Sequence, residues 1–469
     1  MQAASVAFVS VLAAGSALAG DWTLTDSVSL NASAINRDSD NGGQSDRRVL
    51  SLNPSLSLSG RGGRTTANVR YGLGGVYENG SNSGSRLTHS LNGTASSRIY
   101  EDNIFLEGSA FAGLASATNS SASVDEFSAE NETIQTYAFS LSPILRYHLG
   151  RNADLVSRNT IRYSGSDRGS GDEVISRQAH IGIQNGQRFS RLDWFADYSN
   201  TVTEFSNREE SVDSFNVGTG YRLNRKWRLN GSVGYSESDA PTSRSDNSDF
   251  NWNLGATWTP SPRTSMSGNY GQNYSGQVWN GNIAHKTRRT TLSGYFSRSL
   301  TNASALLLDT QDLAVIDPTT GDPFLDPQTG DPLIISVPVL VPTTQNFINT
   351  TVGASVTVSG RRSSVTGQVT YSDREFDLTG RTEDQTTYRL SANRNISPRT
   401  SIRVSGGYSE FSSSTGGENN TTDMSLGAST QLGRHSSLNG SVSHRIFESS
   451  TGNGYEEQRI SLSFVTKFL

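Results

Sequence analysis

The chain has 469 residues and no cysteine. Disulfides, thiolate metal centres and a lipid-modified N-terminal cysteine are therefore excluded. Lysine is nearly missing too: Lys226, Lys286 and Lys467 are the three among 39 basic residues, and the rest are arginine. Genomic base composition would produce that bias, and so would a surface that takes carboxylates or phosphates bidentately. Hydrophobic residues make up only 33%, too few for several packed soluble cores. Tyr, Phe and Trp nevertheless recur at regular intervals, which a disordered chain does not show. A net charge of −5 leaves no nucleic-acid footprint on the chain as a whole. Beyond Ala19 there is no run of 18 apolar residues, hence no transmembrane helix.

Catalytic motifs are also lacking. The sequence has no HExxH, no nucleophile elbow and no glycine loop of the phosphate-cradling kind. The "GLGG" at Gly72–Gly75 lies inside a strand pattern, and the six histidines are scattered singly. No catalytic, cofactor-binding or metal residue is assigned, and the chain is expected not to be an enzyme.

What is present begins with "MQAASVAFVSVLAAGSALA", residues 1–19. An apolar stretch from Val6 to Ala14 precedes Ala17-Leu18-Ala19, the small-residue pattern of an export-signal cleavage site, although its first residues carry no Lys or Arg. Residues 20–469 are then expected to form the mature, exported protein, tethered by neither helix nor lipid.

From Gly20 onward the sequence alternates. In "KWRLNGSVGYSES", Trp227, Leu229, Gly231, Val233 and Tyr235 share one face, while Arg228, Asn230, Ser232, Gly234 and Ser236 share the other. A period of two means a strand with one apolar and one polar face. The eight-residue step from Trp227 to Tyr235, tilted by about 40°, spans about 20 Å along a membrane normal, close to an apolar band with aromatic rims. The same grammar recurs at Tyr408 and closes the chain at Phe468, so Trp227, Tyr235, Tyr408 and Phe468 are candidate girdle residues.

Short turns such as "GRNA" (150–153), "PSPR" (260–263) and "ISPR" (396–399) take turns with longer polar connections such as "ENGSNSGS" (78–85) and "SSSTGGENN" (412–420). The word "SPRTS", at Ser261–Ser265 and Ser397–Ser401, recurs because it occupies two equivalent short turns. Counting on this pattern predicts about 22 strands in hairpins, all-β: a transmembrane antiparallel up-and-down β-barrel without a separate plug domain. A β-solenoid would repeat over a shorter interval and bury its apolar residues.

One connection breaks the rhythm. Residues 315–344 hold six of the twelve prolines and a tandem "DPTTGDP…DPQTGDP". A loop this long is functional or disordered. Asp317, Asp322, Asp326 and Asp331 could gather calcium, but they lack EF-hand spacing, and turn capping is the plainer role. On the polar register, Arg70, Arg158, Arg162, Arg228, Arg389 and Arg403 are candidate lumen-lining residues, with acids such as Glu107 beside them. They either fill the interior as ion pairs or attract an anionic solute. A barrel of this width would leak if open, so the lumen is expected to be closed at rest.

In "YEDNIFLEGSAFAG" (Tyr100–Gly113), "TYAFSLSPILRYHLG" (Thr136–Gly150) and the "DPTTGDP" loop, the chain resembles the PEP-CTERM system-associated outer-membrane proteins. That resemblance implies a predicted β-barrel in a Gram-negative outer membrane, found alongside exosortase and exopolysaccharide machinery. It carries over no catalytic residue. The last strand departs slightly from the usual insertion pattern, since Phe468 is followed by Leu469. The expected function is a gated conduit associated with exopolysaccharide secretion. Two other readings stay open: a non-conducting surface scaffold or adhesin, and a general small-solute porin. Expected partners are outer-membrane lipid, the barrel-assembly machinery and secreted polysaccharide or its export apparatus, with no nucleic acid and no cofactor.

Overall fold

The computed structural model describes residues 20–80, 83–116, 127–128, 133–167, 173–239, 248–301, 313–314, 334–335, 346–376, 379–450, 452 and 454–468. The export segment 1–19 lies outside them. So does the loop 315–344 with its four aspartates, apart from Ile334–Ile335, which pairs with Leu313–Ala314.

The remaining elements are strands of a single sheet. The first quarter is β1 (Gly20–Ser39), β2 (Gly43–Gly62), β3 (Thr65–Asn79), β4 (Gly84–Tyr100), β5 (Ile104–Ser116) and β6 (Thr133–Leu149). Next come β7 (Ala153–Ser166), β8 (Val174–Asn185), β9 (Leu192–Phe205), β10 (Arg208–Arg222) and β11 (Trp227–Ser238). Then follow β12 (Ser248–Ser261), β13 (Thr264–Asn273), β14 (Gly276–Lys286), β15 (Thr290–Thr301) and β16 (Phe347–Ser359). The chain ends with β17 (Ser363–Phe376), β18 (Thr382–Asn395), β19 (Thr400–Ser413), β20 (Gly417–Gln431), β21 (Ser436–Ser449) and β22 (Tyr455–Phe468). Each strand pairs antiparallel with the next, and β1 pairs with β22 from Asp26↔Phe468 to Ser39↔Tyr455. The sheet is thus a closed 22-stranded barrel.

Closure makes the two faces unequal. Side chains converge on the concave side, and there the residues are small and polar: Ser51 and Thr136 are wholly buried. The convex side carries the apolar register, with Leu24, Leu52, Leu254, Leu390 and Ile460 each more than half exposed. Such a surface is stable against hydrocarbon and not against water. The protein is a transmembrane β-barrel of the outer-membrane type. Both described chain ends lie on the short-turn side, as an even strand number requires.

Aromatic rims border the apolar face. Tyr198, Phe215, Tyr235 and Phe250 are direct neighbours across β9–β12 and form a row near the long-loop end. At the other end Trp227 stacks on Trp258, 5.4 Å between ring centroids and 18° between planes. Tyr408 and Phe468 also stand on the outer face, 38% and 49% exposed.

The repeated "SPRTS" has a simple cause. In both copies the serine hydroxyl accepts the arginine backbone N–H two residues on, Arg263 to Ser261 at 3.3 Å and Arg399 to Ser397 at 3.2 Å. The threonine that follows opens β13 or β19. A side chain that imitates a backbone turn is what a three-residue reversal needs.

Connections at the other end differ from expectation. "SSSTGGENN" is not one long loop: β19 runs through Ser413, β20 resumes at Gly417, and Gly417 takes a left-handed φ of 84°. Both faces of these extensions are polar, so the paired strands continue past the apolar band into water. β1 and β2, at 20 residues each, do the same.

Candidate functional site: the inner wall

Parity through the ladder places Arg70, Arg158, Arg162, Arg228, Arg389 and Arg403 on the concave face. They do not form one site. Arg158 and Arg162 lie on β7, Arg389 and Arg403 on the adjacent β18 and β19, and Arg70 and Arg228 stand apart on β3 and β11. Arg158 donates to Glu107 at 2.9 Å and Arg228 to Asp193 at 2.6 Å, both pairs partly exposed to the lumen. Arg70, Arg162, Arg389 and Arg403 have no carboxylate within ion-pair distance among the described residues. All six sit in the middle or the short-turn half of the wall.

The long-loop half is built differently, and sequence reasoning missed it. On β22, β1 and β2, Arg37 donates twice to Glu457, at 2.7 and 3.0 Å, while Arg47 lies 3.9 Å from the same carboxylate. Arg47 also reaches Glu78 on β3 at 3.1 Å. Glu457, Arg47 and Glu78 are nearly devoid of solvent contact, so their charges must pair with one another.

Between these charges the polar face carries apolar residues: Ile35, Val49 and Val76 form a buried patch. Phe127 covers it. Phe127 belongs to the connection between β5 and β6, so its ring stands two to four strands from the root of that connection. Arg47 donates to the Phe127 carbonyl at 3.3 Å, Arg86 donates to the Ser128 carbonyl at 2.6 Å, and the Arg459 guanidinium lies over the Phe127 ring at 5.5 Å. Phe127 and Ser128 thus form a pin on the inner wall near the outer mouth.

A second cluster repeats the chemistry farther round. Phe347 and Phe376 face each other at 5.6 Å, with Arg374 over the first ring and Arg381 over the second. Glu383 lies 3.8 Å from Arg374 and 2.9 Å from Arg381. Asn346, just before β16, donates to Glu210 on β10, although five strands separate β10 from β16. The long-loop ends of β10 and β16 thus meet across β11–β15, strands of 10 to 14 residues. Twenty-two strands close into a cylinder about 40 Å across at a spacing of about 4.8 Å and a tilt of about 40°. The Asn346–Glu210 contact draws the rim of that cylinder inward.

Among the described residues no group of three His, Asp or Glu side chains could hold a metal ion. The inner wall offers hydroxyls, amides and guanidinium groups; it can bind and guide polar solutes.

No family model matches this chain, and no curated protein matches it. Several solved structures are similar in architecture. The siderophore receptor PirA from Pseudomonas aeruginosa is 11% identical with a TM-score of 0.47, over 95% of this chain and 80% of that one. The FrpB iron transporter from Neisseria meningitidis is 11% identical with a TM-score of 0.49, over 95% of this chain and 81% of that one. OccK5 (OpdH) from P. aeruginosa is 10% identical with a TM-score of 0.33, over 95% and 98%. At such distances none of them lends this chain a substrate.

Proposed function

We propose that the barrel is a gated conduit for a hydrophilic anionic polymer, and that the polymer is secreted exopolysaccharide, the setting that the resemblance to PEP-CTERM system-associated proteins implies. One observation carries this reading: arginines at the outer mouth are packed against buried carboxylates and rings, whereas the six below face the lumen, two in partly exposed ion pairs and four with no carboxylate partner among the described residues. The mouth is therefore stiff and narrowed by the Phe127 pin, and the wall beneath presents guanidinium groups to whatever passes. A guanidinium facing water holds each carboxylate weakly, on the order of 1 kcal/mol or less, so a chain is attracted without being trapped. The last strand, with Ile460, Leu462, Phe464 and Phe468 on its outer face, supplies the signal through which the barrel-assembly machinery inserts it.

The test is conductance of refolded Gly20–Leu469 in a planar bilayer. The conduit reading expects openings that an acidic polysaccharide blocks and a neutral one of equal length does not. Steady openings with equal sensitivity to both would mean a general porin. Silence from folded protein would move the function to the outer connections, as a scaffold.

A further inference from the structure

In the lower half of the wall, six neighbouring strands enclose a recess of about 420 Å³, within the size range of ligand sites, about 300–1,000 Å³. Its cause is side-chain length. Ser109, Ser140 and Ser142 are short and lie on the central strands, whereas Arg158 and Arg162 stand on one bank and Asn68 on the other. The floor is a set of paired hydroxyls: Ser109 to Ser140 and Ser142 to Thr160, each at 2.9 Å. Pro143, which has no N–H, leaves the β6–β7 ladder unpaired between Leu141↔Ile161 and Ile144↔Arg158, beside this floor.

We propose that this recess is a binding subsite for a carboxylate-bearing saccharide, with Arg162 taking the carboxylate and the Glu107–Arg158 pair with the hydroxyl floor taking the sugar hydroxyls. The choice of ligand class rests on the conduit reading; the recess itself does not. Three features select this chemistry. Arg162 faces the recess with no carboxylate partner among the described residues, and its planar fork matches a carboxylate. Glu107, held at 2.9 Å by Arg158, sets a carboxylate beside it that disfavours a bare anion bringing no hydroxyl. No aromatic ring lines the recess, so a neutral sugar has no face to stack on. Along the chain this would be one resting place among the weaker contacts made by Arg70, Arg389 and Arg403.

The test is calorimetric titration of the detergent-solubilised barrel with a galacturonate hexamer and with a glucose hexamer. The expected result is saturable binding of the acidic hexamer only, weakened about tenfold or more in Arg162→Gln. Asn393→Ala, on the far wall and outside the guanidinium set, should leave the affinity unchanged. Equal loss in both variants, or binding of both hexamers alike, would overturn the site. Conduction separates the two proposals: a silent barrel that still binds keeps the subsite and sinks the conduit. A conducting barrel whose acidic block and binding ignore Arg162→Gln keeps the conduit and sinks the subsite.

Discussion

Replacing Phe127 by alanine tests whether the pin governs the outer mouth. In the seated state the ring covers Ile35, Val49 and Val76, with Arg459 over its face. A half-buried phenylalanine contributes about 1–2 kcal/mol by area, and the cation–π contact about 0.5–1. Two further bonds run from Arg47 and Arg86 to the backbone carbonyls of residues 127 and 128, and these survive the substitution. At about 1 kcal/mol each they bring the seated state to about 4 kcal/mol, a ratio near a thousand to one. Phe127→Ala removes about 2 kcal/mol and lowers that ratio to about thirty to one. Adding Arg86→Ala loses a further ~1–1.5 kcal/mol and leaves a ratio of only a few to one. Arg47 still neutralises Glu78 in that double variant, so the barrel should fold. Single-channel recording reads the outcome as the fraction of time in the larger conductance state. It should rise from about 0.1% to about 3% and then to roughly a quarter. Identical records from all three proteins, each verified as folded by heat-modifiable gel mobility, would refute the pin.

Three other outcomes follow from the wall. Glu383→Gln leaves the buried Arg374, and the half-buried Arg381 next to it, beside Phe347 and Phe376 without their carboxylate; urea titration in detergent should show a loss of about 3 kcal/mol or more, and Arg374→Met combined with Glu383→Leu should recover most of it. Leu254→Arg puts a charge on the lipid face at mid-strand and should cost about 2–4 kcal/mol, while Asn253→Arg, one residue away on the lumen face, should be tolerated in the same unfolding assay. Arg389→Glu with Arg403→Glu reverses two lumen charges that have no carboxylate partner among the described residues. The reversal potential in a KCl gradient should therefore move toward cation preference.

The barrel was legible because its physics is periodic. Trp227, Leu229, Val233 and Tyr235 fall on one face by counting alone, and the lipid-facing register of β11 follows. Strand ends were less legible: Ser412–Asn420 has the composition of a loop, and only partner strands tall enough to pair with it keep it extended. For the site, register places Arg70 or Arg162 on the polar face, because only parity is needed. It does not find Arg37 with Glu457, whose contact exists because β1 closes on β22. A signal was nevertheless present. Ile35 and Val49 interrupt an otherwise polar face in phase with Ser33 and Ser51, and apolar residues on a wet wall demand a cover. Which segment supplies it, Phe127, depends on a connection whose path no local pattern specifies.

The scarcity of lysine can now be weighed against the placement of arginine. Base composition accounts for arginine standing where lysine would serve, including at the short turns. It does not account for the division along the barrel axis. Lys286 and Lys467 close β14 and β22 at the short-turn rim, so the cations of the inner wall above that rim are guanidinium groups. At the mouth the guanidinium's weak hydration lets it lie on rings and pair in burial, where an ammonium would be costlier to desolvate. Lower down, the same group meets carboxylates as a fork, and many such forks spaced around a wide wall give a charged polymer repeated shallow contacts. One residue type thus suits two opposite demands, rigidity at the rim and slippage below, and what separates them is burial: at the rim the guanidinium is packed away with a carboxylate, and below it faces the lumen, beside a carboxylate as at Arg158 and Arg228 or without one as at Arg162.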